Sequence, residues 1–235
     1  MVDPLGALLA AAVGLGVVHT VLGPDHYLPF VAMAQARGWS GPRTAAVTGL
    51  CGLGHVLSSV VLGAVGIALG VTVARLVSFE GARGDLAAWA LTAFGVVYTA
   101  WGVRRALRGG PHSHRHDHAN GSHHEHQHTH AGGHLHPHAV RSDLTPWVLF
   151  TVFLFGPCEP LIPLLMVPAA RHSPWGVAAV AATFSVATIA TMLAVVLTLR
   201  AGARQVVPRA SLARWSHAAA GATVLACAVA IHLGL

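Results

Sequence analysis

Six residues that can bind transition metals lie within apolar stretches of this sequence. They are His19, Asp25, His26, His55, Cys158 and Glu159. Imidazole, carboxylate and thiolate groups together suit a borderline divalent ion such as nickel, cobalt or zinc, whereas magnesium and calcium prefer oxygen ligands alone. An ionisable group deep in a bilayer is costly, so each of these residues is a candidate functional residue. We predict a metal site; a proton relay and a structural network, in which Asp25 neutralises a histidine, are the alternatives.

A second concentration of histidine lies in the middle of the chain. Residues 112–138 combine twelve histidines with Gly, Ser and Asn, and they lack the apolar residues that a packed core requires. This composition predicts a disordered metal-binding loop with little selectivity among nickel, cobalt, zinc and copper. The candidate loop ligands are His112, His114, His116, His118, His123, His124, His126, His128, His130, His134, His136 and His138.

The elements that position these residues must be membrane helices. The chain is 54% hydrophobic and 9% charged with a mean hydropathy of +0.61, which indicates an all-α integral membrane protein. Uncharged apolar runs of about 20 residues, the length that crosses a bilayer core, predict six spans. They are Leu5–Met33, Thr44–Ala74, Leu86–Val103, Leu144–Pro168, Val177–Leu199 and Trp215–Leu235.

The first and fourth predicted spans are related to each other. Residues 23–36 align with residues 156–169 without a gap, and each segment begins with Gly-Pro. A repeat of three spans is odd in number, so the second copy must enter the membrane in the opposite orientation. The sequence therefore predicts two inverted three-helix repeats, residues 1–108 and 143–235, joined by the His-rich loop at 109–142. Gly-Pro would break a helix near the midplane, where transporters of this design place their sites.

The distribution of arginine predicts the topology. In a six-span arrangement eleven arginines fall on one side of the membrane, and only Arg75, Arg83 and Arg171 fall on the other. The positive-inside rule then places the His-rich loop in the cytoplasm and both termini outside. Charges spread over alternate short loops do not form the single basic face that nucleic-acid binding needs. We expect neither an enzyme active site nor a nucleotide-binding loop.

Three segments resemble a known family. "HTVLGPDHYLPF", "GLGHVLSS" and "FGPCEPLIPLLM", with a His-rich loop between spans three and four, resemble the nickel/cobalt transporter superfamily, especially its six-span branch of urease-accessory UreH-type membrane proteins. The resemblance implies a cell-membrane permease for nickel or cobalt, with zinc also possible as the transported ion, and no permanent cofactor. It assigns His19, Asp25, His26 and His55 to the family's functional motifs. Cys158 and Glu159 match the second-half motif of the urease-accessory branch.

A second resemblance supports a different class of function. The segment "GPCEPLIP" is similar to the Pro-Cys segment of six-span membrane carriers that transfer electrons by thiol-disulfide exchange. Those carriers need a partner cysteine in the first repeat, and Asp25 stands at the matching position here. We therefore keep a thiol-disulfide electron carrier as the alternative, together with a proton-coupled transporter of another small solute. Cys51 and Cys227 are expected to be small buried hydrophobic residues, and a homo-oligomer or partner subunits are possible.

Overall fold

A computed structural model describes residues 4–108, 112–117, 123–128, 144–158, 160–171, 173–205 and 213–233. Apart from one short hairpin, the regular structure is helical. The helices are α1 (Pro4–Leu22), α2 (Leu28–Arg37), α3 (Gly41–Ala68), α4 (Val73–Arg108), α5 (Thr145–Phe155), α6 (Leu161–Ala170), α7 (Pro174–Gln205) and α8 (Ser216–His232). The strands are β1 (His112–Asp117) and β2 (His123–His128).

The first predicted span is broken at Gly23-Pro24. Helix α1 closes with the Gly23 amide donating to the carbonyl of His19, and residues Pro24–His26 then form one turn of 3-10 helix. Proline has no amide hydrogen and clashes with the preceding turn, so the α-helical ladder cannot continue through this point. Helix α2 starts again at Leu28 and ends at Arg37. The next residue, Gly38, caps it with a φ of 61°, the left-handed conformation that glycine adopts readily.

The fourth predicted span is broken in the same way. Helix α5 ends at Phe155, Gly156 and Pro157 follow, and α6 begins at Leu161. Helices α2 and α6 begin 133 residues apart and end 133 residues apart, and α3 and α7 also begin 133 residues apart. Each break is therefore followed by a ten-residue helix and then by a long helix.

Packing between distant helices brings the two breaks together. Helix α1 packs against α7, α3 packs against α5 and α7, and α2 packs against α8. The most extensive contact joins α4 and α8, where a Cβ at Gly95 would lie 2.8 Å from the backbone nitrogen of Leu225. Small residues permit this close approach of two backbones, as they do in membrane helix pairs.

The outer surface of the helices is apolar, as in a membrane protein. Large hydrophobic side chains such as Val18, Leu57, Val97 and Val186 are about half exposed or more. Among the described residues, α1, α3, α4 and α7 are long and apolar enough to cross a membrane, and α5, α6 and α8 are shorter apolar helices. The expected all-helical membrane architecture is confirmed at this level, as is a multi-pass membrane location.

The predicted second and third spans differ from the helices: α3 ends at Ala68 and not at Ala74. The third span was expected to start at Leu86, but α4 starts at Val73 and runs for 36 residues. Residues 75–85 were assigned to a loop because they contain two arginines, a glutamate and an aspartate. They are helical because the polar side chains Glu80 and Arg83 pair with each other across one helical turn.

The His-rich segment differs in part from the expected disordered loop. Strands β1 and β2 pair in antiparallel register, with His112 opposite His128, His114 opposite His126 and His116 opposite His124. Backbone hydrogen bonds between two strands need no apolar core, which is why composition did not predict this hairpin. The loop candidates His118, His130, His134, His136 and His138 lie outside the described residues.

Candidate functional site

Three of the predicted residues meet at the helix breaks. His19 comes from the last turn of α1, His26 from the 3-10 turn and His55 from the middle of α3. One ring nitrogen of each lies within 4.8 Å of those of the other two. The ring centroids of His19 and His26 are 4.6 Å apart, and those of His26 and His55 are 5.0 Å apart. His26 and His55 are buried, whereas His19 is half-buried.

Hydrogen bonds orient two of these rings. Nδ1 of His26 lies 3.2 Å from a carboxylate oxygen of Asp25, and Nδ1 of His55 lies 3.3 Å from the carbonyl oxygen of Phe153. Carboxylate and carbonyl oxygens accept hydrogen bonds, so Nδ1 is the donor in both contacts. In a neutral imidazole the other nitrogen, Nε2, then carries a lone pair. Both Nε2 atoms are buried and have no hydrogen-bond partner within the part of the chain that the structure describes.

The glycines of the two Gly-Pro motifs make room for these rings. A Cβ at Gly23 would lie 2.6 Å from Nδ1 of His26, and a Cβ at Gly156 would lie 3.0 Å from Nδ1 of His55. The first distance is too short for any side chain and the second is tight. Each break therefore places its glycine directly against one imidazole of the cluster.

Cys158 borders the same site from the second break. Its Sγ lies 3.9 Å from Nε2 of His19, and its side chain is fully buried. Cys227 lies near the first break, with its Sγ 4.0 Å from the carbonyl oxygen of Pro24. Cys51 lies in α3 one turn before His55. All three cysteines are free thiols and are buried, which agrees with the expectation for Cys51 and Cys227.

Sequence reasoning missed a buried ion pair that holds the second break. Glu80 is fully buried; one of its oxygens accepts from Nη1 of Arg83 at 2.6 Å, and the other accepts from the backbone amide of Cys158 at 3.1 Å. Arg83 also donates to the carbonyl oxygen of Leu154 at 2.9 Å and to Ser58 at 2.7 Å. The spacing of Glu80 and Arg83, i and i+3, would have indicated a pair on a helix. The segment was predicted to be a loop, so this spacing was not considered.

A cavity of about 380 Å³ opens beside the imidazoles. Its lining includes His19, Asp25, His26 and His55 from one side, and Pro157 from the second break. Most of the remaining lining is aliphatic. A small molecule or ion inside it would therefore meet few polar groups apart from this cluster.

The structure places the six predicted site residues in three different ways. His19, His26 and His55 come together, and Asp25 and Cys158 contact them. Asp25 lies outside the group whose ligand atoms converge, and it bonds to His26 instead. Glu159 lies outside the described residues.

Comparison with known proteins corrects the expected function. A family model described as cytochrome c biogenesis protein transmembrane region matches residues 28–229. No curated protein and no solved structure matches the chain. The resemblance to nickel/cobalt transporters is wrong, and the permease activity expected from it is wrong too. That resemblance depended on short motifs, and His19, Asp25 and His26 precede the matched region, which spans most of the helices. The chain belongs to the family of the cytochrome c biogenesis protein transmembrane region.

Proposed function

We propose that this protein carries reducing equivalents through the membrane by thiol-disulfide exchange at Cys158. The observation that carries the proposal is the position of Cys158, directly after the Gly156-Pro157 break, with its Sγ 3.9 Å from Nε2 of His19. Membership of the cytochrome c biogenesis family supports it. The thiolate is the nucleophile in such exchange, so a cysteine beside a proton acceptor is the expected arrangement.

The exchange can run through one cysteine. The Cys158 thiol gives its proton to Nε2 of His19, and the thiolate attacks one sulfur of an acceptor disulfide. This forms a mixed disulfide and releases one acceptor thiolate, which takes the proton back from His19. One thiol of a donor dithiol then gives its proton to Nε2 of His19 and attacks the Cys158 sulfur, which forms a donor–Cys158 mixed disulfide and releases the second acceptor thiolate. That thiolate takes the proton from His19. The remaining donor thiol closes the donor disulfide and returns Cys158 to its reduced form.

The net reaction moves two electrons and two protons from the donor dithiol to the acceptor disulfide. A single reactive cysteine is sufficient because both partners contribute two sulfurs each. This accounts for Asp25 at the position where a two-cysteine carrier would have its second thiol. Cys51 and Cys227 pack in a different apolar cluster from Cys158, so the proposal gives them no part in the exchange.

Access to the buried thiol requires movement of the two halves. The proposal treats the chain as six spans in two inverted three-helix halves, with the His-rich loop cytoplasmic and both termini outside. The equal 133-residue spacing of α2 with α6 and of α3 with α7 supports this division. Movement of one half against the other would open Cys158 toward both sides of the membrane, so that a donor thiolate reaches the Cys158 sulfur opposite the acceptor sulfur that leaves.

Reconstitution in lipid vesicles tests the proposal. Vesicles would enclose a charged dithiol that cannot cross the bilayer, and a membrane-impermeant fluorogenic disulfide would be added outside. We expect the protein to accelerate reduction of the external disulfide, and Cys158→Ser to abolish that acceleration. Cys51→Ser and Cys227→Ser serve as matched controls and should retain it. A Cys158→Ser protein that reduces the probe at the wild-type rate would overturn the proposal.

A further inference from the structure

We infer that His19, His26 and His55 together hold one transition-metal ion, copper(I) or zinc(II), at the meeting point of the two helix breaks. The ion would be held at the site and not transported, and while it is bound to His19 it would block proton transfer from Cys158. The inference does not rest on thiol-disulfide exchange, because it uses three imidazoles that the exchange does not require together. His19 and His26 also precede the region that the family match covers.

The unpartnered nitrogens are the first argument. Nε2 of His26 and Nε2 of His55 are buried, and neither has a hydrogen-bond partner among the described residues. A buried polar atom without a partner is rare and costs free energy, so it calls for an explanation. A cation between the rings would satisfy both lone pairs at once. Imidazole nitrogen is a favoured ligand of both copper and zinc.

The contacts of the opposite ring nitrogens are the second argument. Histidines that bind metals usually donate their other N–H to a carboxylate or a backbone carbonyl, which fixes the tautomer and the ring orientation. His26 does so to Asp25 at 3.2 Å, and His55 does so to Phe153 at 3.3 Å. Asp25 is therefore a positioning residue, and its carboxylate acts on the ion through His26. In both histidines, Nδ1 faces an oxygen acceptor and Nε2 is left to bind an ion, although the two acceptors belong to different elements.

The distances allow such a site after small side-chain shifts. With metal–nitrogen bonds of about 2.0–2.1 Å, the nitrogens of a tetrahedral site lie about 3.4 Å apart. The three converging nitrogens are already within 4.8 Å of one another. Three of the four ligands would be imidazoles, and the fourth position would face Cys158 or the cavity beside the cluster.

The two candidate ions differ in how much negative charge they need around them. Three neutral imidazoles contribute no charge, and the carboxylate of Asp25 contributes one negative charge. Among the described residues at the cluster, Asp25 alone would balance the charge of copper(I). Zinc(II) would need a second negative charge. A thiolate at Cys158, whose Sγ lies 3.9 Å from Nε2 of His19, could supply it. An unbalanced charge in an apolar interior is costly, so zinc retention should depend on Cys158 and copper(I) retention should not.

The test measures metal retained by the full-length protein in detergent. Protein would be loaded separately with zinc(II) and with copper(I) under reducing conditions, washed with a chelator, and analysed for metal per chain. Variants His19→Gln, His26→Gln and His55→Gln would be compared with wild type, with His232→Gln as the matched control. The histidines of residues 112–138 are present in every variant, so their contribution cancels in the differences.

We expect wild type and His232→Gln to retain one more ion per chain than each cluster variant. Asp25→Asn keeps an oxygen acceptor for His26, so it should weaken binding by about 10- to 100-fold without abolishing it. Cys158→Ser should lose zinc and keep copper(I); retention of zinc at the wild-type value would exclude Cys158 as the fourth ligand. Equal retention by wild type and all three cluster variants would overturn the inference.

The metal and exchange proposals can fail separately. Cys158→Ser removes exchange but leaves three imidazoles, and His55→Gln removes a metal ligand but leaves the Cys158–His19 pair. A bound ion would occupy Nε2 of His19 and deny it to the Cys158 proton. Metal loading should therefore slow alkylation of Cys158 in wild type and leave its rate unchanged in His55→Gln. Absence of this protection in a wild-type protein that has retained its ion would contradict the location of the ion.

Discussion

The Glu80–Arg83 pair offers a direct measure of what holds the second helix break in place. Arg83→Met would remove the guanidinium and leave the fully buried Glu80 carboxylate with two remaining donors, Ser59 and the amide of Cys158. Removing one partner of a buried ion pair costs about 3–5 kcal/mol of unfolding free energy. The Arg83 side chain is 20% exposed, so we expect a value near the lower limit, about 3 kcal/mol.

The loss should be concentrated at the second break. Arg83 joins the carbonyl of Leu154 to α4, and Glu80 joins the amide of Cys158 to α4. If opening of this break controls access to the buried thiol, 3 kcal/mol corresponds to roughly a 150-fold faster alkylation of Cys158. Alkylation of Cys227, near the first break, serves as the internal control and should change much less.

A second variant separates the cost of leaving the Glu80 carboxylate unpaired from the cost of removing the Arg83 side chain. Glu80→Gln retains an oxygen acceptor for the Cys158 amide, and the double variant Glu80→Gln with Arg83→Met leaves no unpaired buried charge. The double variant should therefore be more stable than Arg83→Met alone, because an uncompensated carboxylate is the main cost in the single variant. Denaturant unfolding in detergent micelles and Cys158 alkylation would both be measured. Wild-type stability and wild-type alkylation in Arg83→Met would refute the reasoning.

Three further predictions concern the first break, the α4–α8 interface and the His-rich segment. Gly23→Ala should abolish metal retention at the cluster, because its Cβ would lie 2.6 Å from Nδ1 of His26; Gly14→Ala, with open space around it, is the control. Tyr98→Phe should lower the unfolding free energy by about 1–3 kcal/mol, because the hydroxyl bonds Arg37 and His217. Tyr27→Phe, whose hydroxyl bond is exposed, should have little effect on unfolding. Deleting residues 112–138 should reduce total bound metal and leave membrane insertion intact, as judged by membrane fractionation and metal analysis.

The sequence predicted the residues of the site better than the activity. Gly-Pro placed the two breaks, and the intramembrane imidazoles indicated which side chains would meet there. The structure brings together His19, His26 and His55, with Asp25 and Cys158 in contact. Motifs of this length identify the side chains at a site but not the activity of the protein. The same His, Asp and Cys groups suit transport, redox exchange or a bound ion. The family match over residues 28–229 was needed to exclude the permease.

Two features of the structure could not be read from local patterns. Hydropathy started the third span only at Leu86, because it counts Glu80 and Arg83 as two separate charges, whereas together they neutralise each other inside the protein. The role of Asp25 also depended on geometry. A carboxylate next to His26 could bind an ion directly or orient the ring, and only the 3.2 Å contact to Nδ1 favours the second role.

The two breaks make unequal contributions to one site. Gly23 and Gly156 occupy equivalent places and each accommodates an imidazole, yet Asp25 follows the first and Cys158 the second. The carboxylate lies 3.2 Å from Nδ1 of His26, whereas the thiol has a longer contact of 3.9 Å with Nε2 of His19. In the proposed function, the acid on one half orients His26 and the thiol on the other half carries out the exchange. Separation of the halves would free the thiol from His19 and leave His26 with Asp25, so movement would expose Cys158 while the first break keeps its geometry.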